Sequence, residues 1–80
     1  MLTDYIQAAM RHATYEWLEE DGVWYAEIPP LPGVWASAAT REELPAELQS
    51  VLEGWIALGL KMNDPIPAID GVGISFEPVG

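Results

Sequence analysis

Glu16 and Glu27 are the nearest thing in this chain to a catalytic pair, since they lie in consecutive strand-like runs and share one face of the hairpin those runs predict. Metal-assisted phosphoryl hydrolysis needs several carboxylates converging on two ions. A pair on an open sheet face, with no evident pocket, reads as a solvated surface instead. His12 is the only histidine and there is no cysteine, so a metal centre lacks its usual ligands. Ser37, Ser50 and Ser75 have no histidine base at a suggestive spacing. Gly71-Val72-Gly73 follows no strong strand signal and precedes no helix, so it is a turn rather than a phosphate loop. The expectation is no catalytic, cofactor or metal site, and no enzyme. The aromatic residues suggest another chemistry. Tyr25 and Trp35, taken with Glu16 and Glu27, suit a surface that anchors a protein partner, because aromatic residues dominate interface hot spots.

The charge balance supports that direction. Thirteen Asp and Glu against three Lys and Arg give a net charge of -10 over 80 residues. Phosphate binding needs clustered cations, and Arg11, Arg41 and Lys61 are scattered, so direct nucleic-acid binding is excluded. A basic protein partner fits the charge. No apolar stretch approaches a membrane span and no signal-peptide pattern is present. With no disulfides possible, the expected setting is the cytoplasm.

The elements that position these residues are legible in the pattern. Leu2, Ile6, Ala9, Met10 and Ala13 form the apolar stripe of a short N-terminal helix over 1–12, with Thr3 as its N-cap. Asp21-Gly22 between two strand-like runs predicts a hairpin with a two-residue type I′ turn. That turn sets Glu20 against Val23, Trp17 against Ala26 and Glu16 against Glu27. Tyr15, Trp17, Trp24, Ala26 and Ile28 then face the core, and Thr14, Glu16, Leu18, Val23, Tyr25 and Glu27 the other side. Trp17, Trp24 and Trp55 are read as core residues; alternation leaves the face of Trp35 open. Pro29-Pro30-Leu31-Pro32-Gly33 is a stiff connection to a third strand over 34–38.

Thr40-Arg41-Glu42-Glu43 matches a capping box opening a long helix, Pro45 disturbs its first turn, and Asn63 stops it. Trp55 to Leu60 is apolar almost all round, which a surface helix should not be. Either residues 65–80 cover it or another subunit does. Trp55, Ile56 and Leu60 are therefore candidates for a homodimer or higher oligomer interface. Val72 to Phe76 alternates as a short fourth strand. The whole is one α+β domain over 1–80.

Tyr25-Ala26-Glu27-Ile28-Pro29, Leu31-Pro32-Gly33-Val34-Trp35-Ala36, Thr40-Arg41-Glu42-Glu43, Trp55-Ile56-Ala57-Leu58 and Ile66-Pro67 together resemble the HicB-like antitoxin family across residues 13–76. The resemblance implies a partial RNase-H-like fold: a three-stranded antiparallel meander, a helix across it and a fourth strand, here preceded by a short helix. It also implies an antitoxin that neutralises a basic HicA-like mRNA-cleaving toxin by direct binding. The chain ends soon after the fourth strand, so the expectation is the N-terminal-type domain without the DNA-binding domain. The competing expectation is a non-catalytic structural or regulatory homo-oligomer of the same fold.

Overall fold

In the computed structural model, which describes residues 2–73, the elements are α1 (Leu2–Arg11), β1 (Thr14–Leu18), β2 (Val23–Glu27), β3 (Trp35–Ala38) and α2 (Leu44–Lys61). The strands form one antiparallel sheet in the order β1-β2-β3, the expected α+β meander. α2 packs over β2 and β3, and α1 packs against α2. The cross-strand pair Ala26 and Ala36 is buried beneath α2, and such small side chains allow a helix to approach a sheet closely. Leu44, Leu48, Leu52 and Ile56 repeat at the helical spacing along α2 and are buried on that side. Ile28, Leu31 and Val34 close the core at the proline-rich end.

The hairpin register differs from the two-residue turn. Trp17 pairs with Trp24 instead of Ala26, and Glu16 pairs with Tyr25 instead of Glu27. A type I′ turn needs positive φ at both central residues. Gly22 has φ +65, but Asp21 is not among the positive-φ residues. The Leu18 carbonyl instead accepts from both Asp21 N (3.2 Å) and Gly22 N (2.8 Å), so the loop is Glu19–Gly22. A shift of two positions keeps every side chain on its expected face, because the strand period is two.

The ends of α2 follow local chemistry. Glu43 N donates to Thr40 Oγ1 at 3.3 Å, the expected cap bond, yet the helix proper starts only at Leu44. Pro45 has no N–H for the Arg41 carbonyl, and Leu44 N takes that carbonyl at 3.3 Å in a tighter turn. At the other end Asn63 has φ 57, with Asn63 N on the Leu60 carbonyl and Asp64 N on that of Gly59. This is a Schellman stop with Asn in the left-handed position.

α1 begins at Leu2, ahead of Thr3, so Thr3 is in the helix rather than its cap. Its buried face is also rotated from the expected stripe. Tyr5, Ala8 and Ala9 are fully buried, while Ile6 and Met10 are only partly so. The reason is Tyr5, whose hydroxyl donates to the Pro67 carbonyl at 2.6 Å and joins α1 to the segment after α2. Beyond it, His12 Nε2 lies 2.8 Å and Arg11 Nη2 3.8 Å from the Asp70 carboxylate. Ile69 is buried and forms an isolated antiparallel bridge with Val72. The expected strand from Val72 to Phe76 lies mostly outside the described residues.

Burial raises the Tyr5 phenol above the ordinary tyrosine range. Folding therefore favours its protonated form, and this contribution is complete at neutral pH and lost as pH rises through the raised pKa. Tyr5→Phe is expected to cost about 1 kcal/mol near pH 7, the worth of one net hydrogen bond. It should also flatten part of the parent's stability loss at strongly alkaline pH. Urea titrations of both proteins across neutral and alkaline buffers check both outcomes.

Candidate protein-docking face

The strand period places Glu16, Leu18, Val23, Tyr25, Glu27, Trp35 and Ser37 on the sheet face opposite α2. Among the described elements, none packs on this face. All four residues expected to bind a partner are brought together there. The Tyr25 and Trp35 rings stack with centroids 6.0 Å apart and planes 29° apart. The contact is diagonal: Glu27 sits directly opposite Trp35, and Glu16 directly opposite Tyr25. Trp35, whose face the alternation left open, is 53% exposed. β3 starts one residue later than expected, at Trp35, with Ala36 inward and therefore Trp35 outward.

The corrected register changes the electrostatics of this face. Glu16 and Glu27 are no longer directly opposed but lie diagonally across the strand pair, a separation of roughly 7–8 Å between such positions. The Tyr25 hydroxyl lies beside them and donates to Glu27 Oε2 at 3.3 Å. The phenol is held above its ordinary pKa by partial desolvation first, then by the Glu27 charge and the hydrogen bond to it, and then by the Glu16 charge. The Tyr25 ring thus stands in a negative field set by two carboxylates. None of the three cations answers it: Arg11 faces Asp70, the Arg41 guanidinium lies 3.6 Å from the Tyr15 ring centroid, and Lys61 ends α2. Beside the aromatic pair is an open groove of about 490 Å³, walled by Tyr25, Glu27 and Trp35 and by residues 28–29 and 31–34 of the connecting segment.

Residues expected at an intersubunit surface are placed differently. Ile56 is 2% exposed and belongs to the core of its own chain, because the helical period groups it with Leu44, Leu48 and Leu52. Trp55 and Leu60 are half-buried against that core. The apolar surface α2 leaves open is carried instead by Val51, 38% exposed, by Leu58, 58% exposed, and by Met62 just past its end, 61% exposed.

Of the tryptophans read as core, Trp24 and Trp55 pack against it, but Trp17 is 46% exposed. α2 covers β2 and β3 and does not reach β1, so the inward side of β1 is open. There Trp17 leans on Trp24 at 5.7 Å, and Arg41 covers Tyr15. Sequence reasoning missed the Arg41–Tyr15 contact, which joins residues far apart in the chain and leaves no periodic signal. Among the described residues, no group of three or more His, Cys, Asp or Glu is placed to hold a metal ion, and no helix is long and apolar enough to cross a membrane.

Fold and face together define a small α+β domain whose meander buries the inward side of β2 and β3 under α2 and leaves its other face open, acidic and aromatic. The chain belongs to the UPF0150-like family, which it matches over residues 4–67. It is similar to the crystal structure of TTHA0281 from Thermus thermophilus, with 38% identity, a TM-score of 0.89, and coverage of 96% of this chain and 95% of that one. A comparison with curated proteins finds no match.

Proposed function

We propose that this chain is an antitoxin-like protein-binding module that neutralises a basic, HicA-like mRNA-cleaving toxin by direct binding, without catalysis of its own. The observation that carries this reading is the open sheet face, where the Tyr25–Trp35 stack is flanked by Glu16 and Glu27 and, among the described residues, met by no cation. A nuclease must carry cationic groups to hold RNA, and those groups complement this face. Covering them with an acidic protein would block RNA entry. The HicB-like resemblance of the sequence points the same way.

If the adjacent reading frame encodes a basic protein of similar or smaller size, co-expression with it, followed by co-purification and an RNA-cleavage assay, tests the reading. The expected result is a stable complex with suppressed cleavage. Loss of the complex, or unchanged cleavage within it, rejects the reading. Replacing Glu16 and Glu27 together with Gln should slow association of the purified pair and flatten its salt dependence, because steering by rim charges acts on the association rate and is screened by salt. Stopped-flow mixing at several salt concentrations measures this.

A second reading, a structural or regulatory homo-oligomer without a toxin, is favoured by the exposed apolar side chains Leu58 and Met62. Sedimentation of the isolated chain tests this reading, which requires assembly in the absence of any partner and is rejected by a monomer; co-purification with a basic protein separates it from the first.

A further inference from the structure

We propose that the Tyr25–Trp35 pair, with Glu27 at its edge, is a receptor for a single arginine side chain presented by a protein partner. The inference rests on the reading of this face as a surface for a basic protein, and goes further by naming the group that enters.

Three features of the face select a guanidinium. The two rings lie within 29° of parallel, and Trp35 is half-exposed, so a flat π surface is open to solvent. A planar guanidinium stacks on such a surface, while a compact, strongly hydrated ammonium does so less well. Glu27 sits directly opposite Trp35 in the register, so a carboxylate lies at the edge of that surface. The Tyr25 hydroxyl bonds Glu27 Oε2, and no hydrogen bond to Oε1 occurs among the described residues. A stacked guanidinium directs its N–H groups outward in its own plane, toward a carboxylate placed this way. The third feature is the groove bounded by Pro29 and Pro32 beside Glu27 and Trp35, which receives the aliphatic stem of the incoming side chain.

The chain already makes the same pairing once. Arg41 lies over the Tyr15 ring at 3.6 Å on the other face of the sheet, so its cation is spent there. Other occupants fit worse. A second copy would bring another net charge of -10 toward Glu16 and Glu27, and a nucleic acid would bring phosphates. A neutral aromatic or proline-rich peptide would leave both carboxylates without a counter-charge.

The probe is the pentapeptide Gly-Gly-Arg-Gly-Gly with blocked ends, titrated into the full chain at low salt and followed by NMR. Matched peptides carrying lysine or citrulline are the controls. The expected result is saturable shifts of the Trp35 indole and Tyr25 ring signals, with lysine binding about three-fold more weakly and citrulline not saturating. Glu27→Gln should weaken arginine binding several-fold. Trp35→Leu should remove the preference for arginine over lysine in a chain whose other signals stay in place. Glu19→Gln with Glu20→Gln, at the hairpin tip, should change neither. Equal binding of arginine and lysine, shifts spread over all acidic residues, or a loss at the hairpin-tip variant as large as at Glu27→Gln would each overturn the proposal. If the arginine peptide fails while the basic neighbour still co-purifies, this inference falls and the proposed function stands. Arginine binding with no co-purifying basic protein gives the reverse.

Discussion

Leu52→Ala is expected to lower the melting temperature by roughly 10–30 °C, and at 37 °C to leave much of the protein unfolded. Leu52 lies in the middle of α2 with 0% of its surface open to water. Truncating a buried leucine costs about 2–5 kcal/mol, the sum of lost transfer energy and the cavity left behind. In a domain of roughly 60–100 residues, each kcal/mol moves the midpoint by roughly 4–8 °C. A chain this short buries a smaller share of its surface than larger domains do, so it has little stability in reserve. Leu58→Ala, on the same helix but 58% exposed, is the control and should stay within about 0.5 kcal/mol of the parent. Thermal melts by circular dichroism compare the two. Similar midpoints for both variants would mean that α2 does not pack as described.

Trp35→Ala should weaken binding of the proposed basic partner by about 30-fold or more while leaving the fold nearly unchanged. Interface hot spots of about 2 kcal/mol or more concentrate on tryptophan, tyrosine and arginine, and about 1.4 kcal/mol is a factor of ten in affinity. Trp35 is half-exposed, and its described ring contact is with Tyr25 on the open face, so removal leaves no cavity in the core. Trp55→Ala is the opposite case: that ring is packed against the core, and its loss should lower stability. Calorimetric titration against the partner, paired with a melt of each variant, distinguishes a docking residue from a structural one. An affinity for the Trp35 variant within about two-fold of the parent would move the docking surface elsewhere, with the apolar Leu58 and Met62 region next to be tested.

The candidate site was legible in the sequence to an unusual degree for a surface. Alternation assigned Glu16, Tyr25 and Glu27 to one face, and the acidic composition pointed to a basic partner. Trp35 could not be placed by alternation, because the segment from Pro29 to Gly33 breaks the strand phase before β3 begins. Its side is settled by pairing: once Ala36 pairs with Ala26 under α2, Trp35 must point away. The apolar run from Trp55 to Leu60 was ambiguous for a related reason. Within the run itself no polar side gives a phase; it is the i, i+4 series of Leu44, Leu48 and Leu52 in the earlier turns, packed on the sheet, that continues to Ile56 and leaves Leu58 outward.

What the sequence determined by itself was therefore local. Strand period set the faces, and those survived a two-residue change in pairing because a shift of two restores each side chain to its own side. Pro45 and Asn63 set the limits of α2 through a missing donor and a tolerated left-handed backbone. The tertiary structure decided what depends on distant groups. The hairpin loop is the one local exception that the pattern left undecided: Asp21 could have entered a type I′ turn, but the Leu18 carbonyl, three and four residues back, took both loop donors and moved the register. Tyr5 turned inward on α1 because its hydroxyl meets the Pro67 carbonyl, 62 residues further along the chain. Trp17 stayed half in water because α2 crosses β2 and β3 and stops short of β1. Periodicity reports which side chains share a face. It carries no information about how far the covering helix extends across that face, which is fixed by packing between elements distant in sequence.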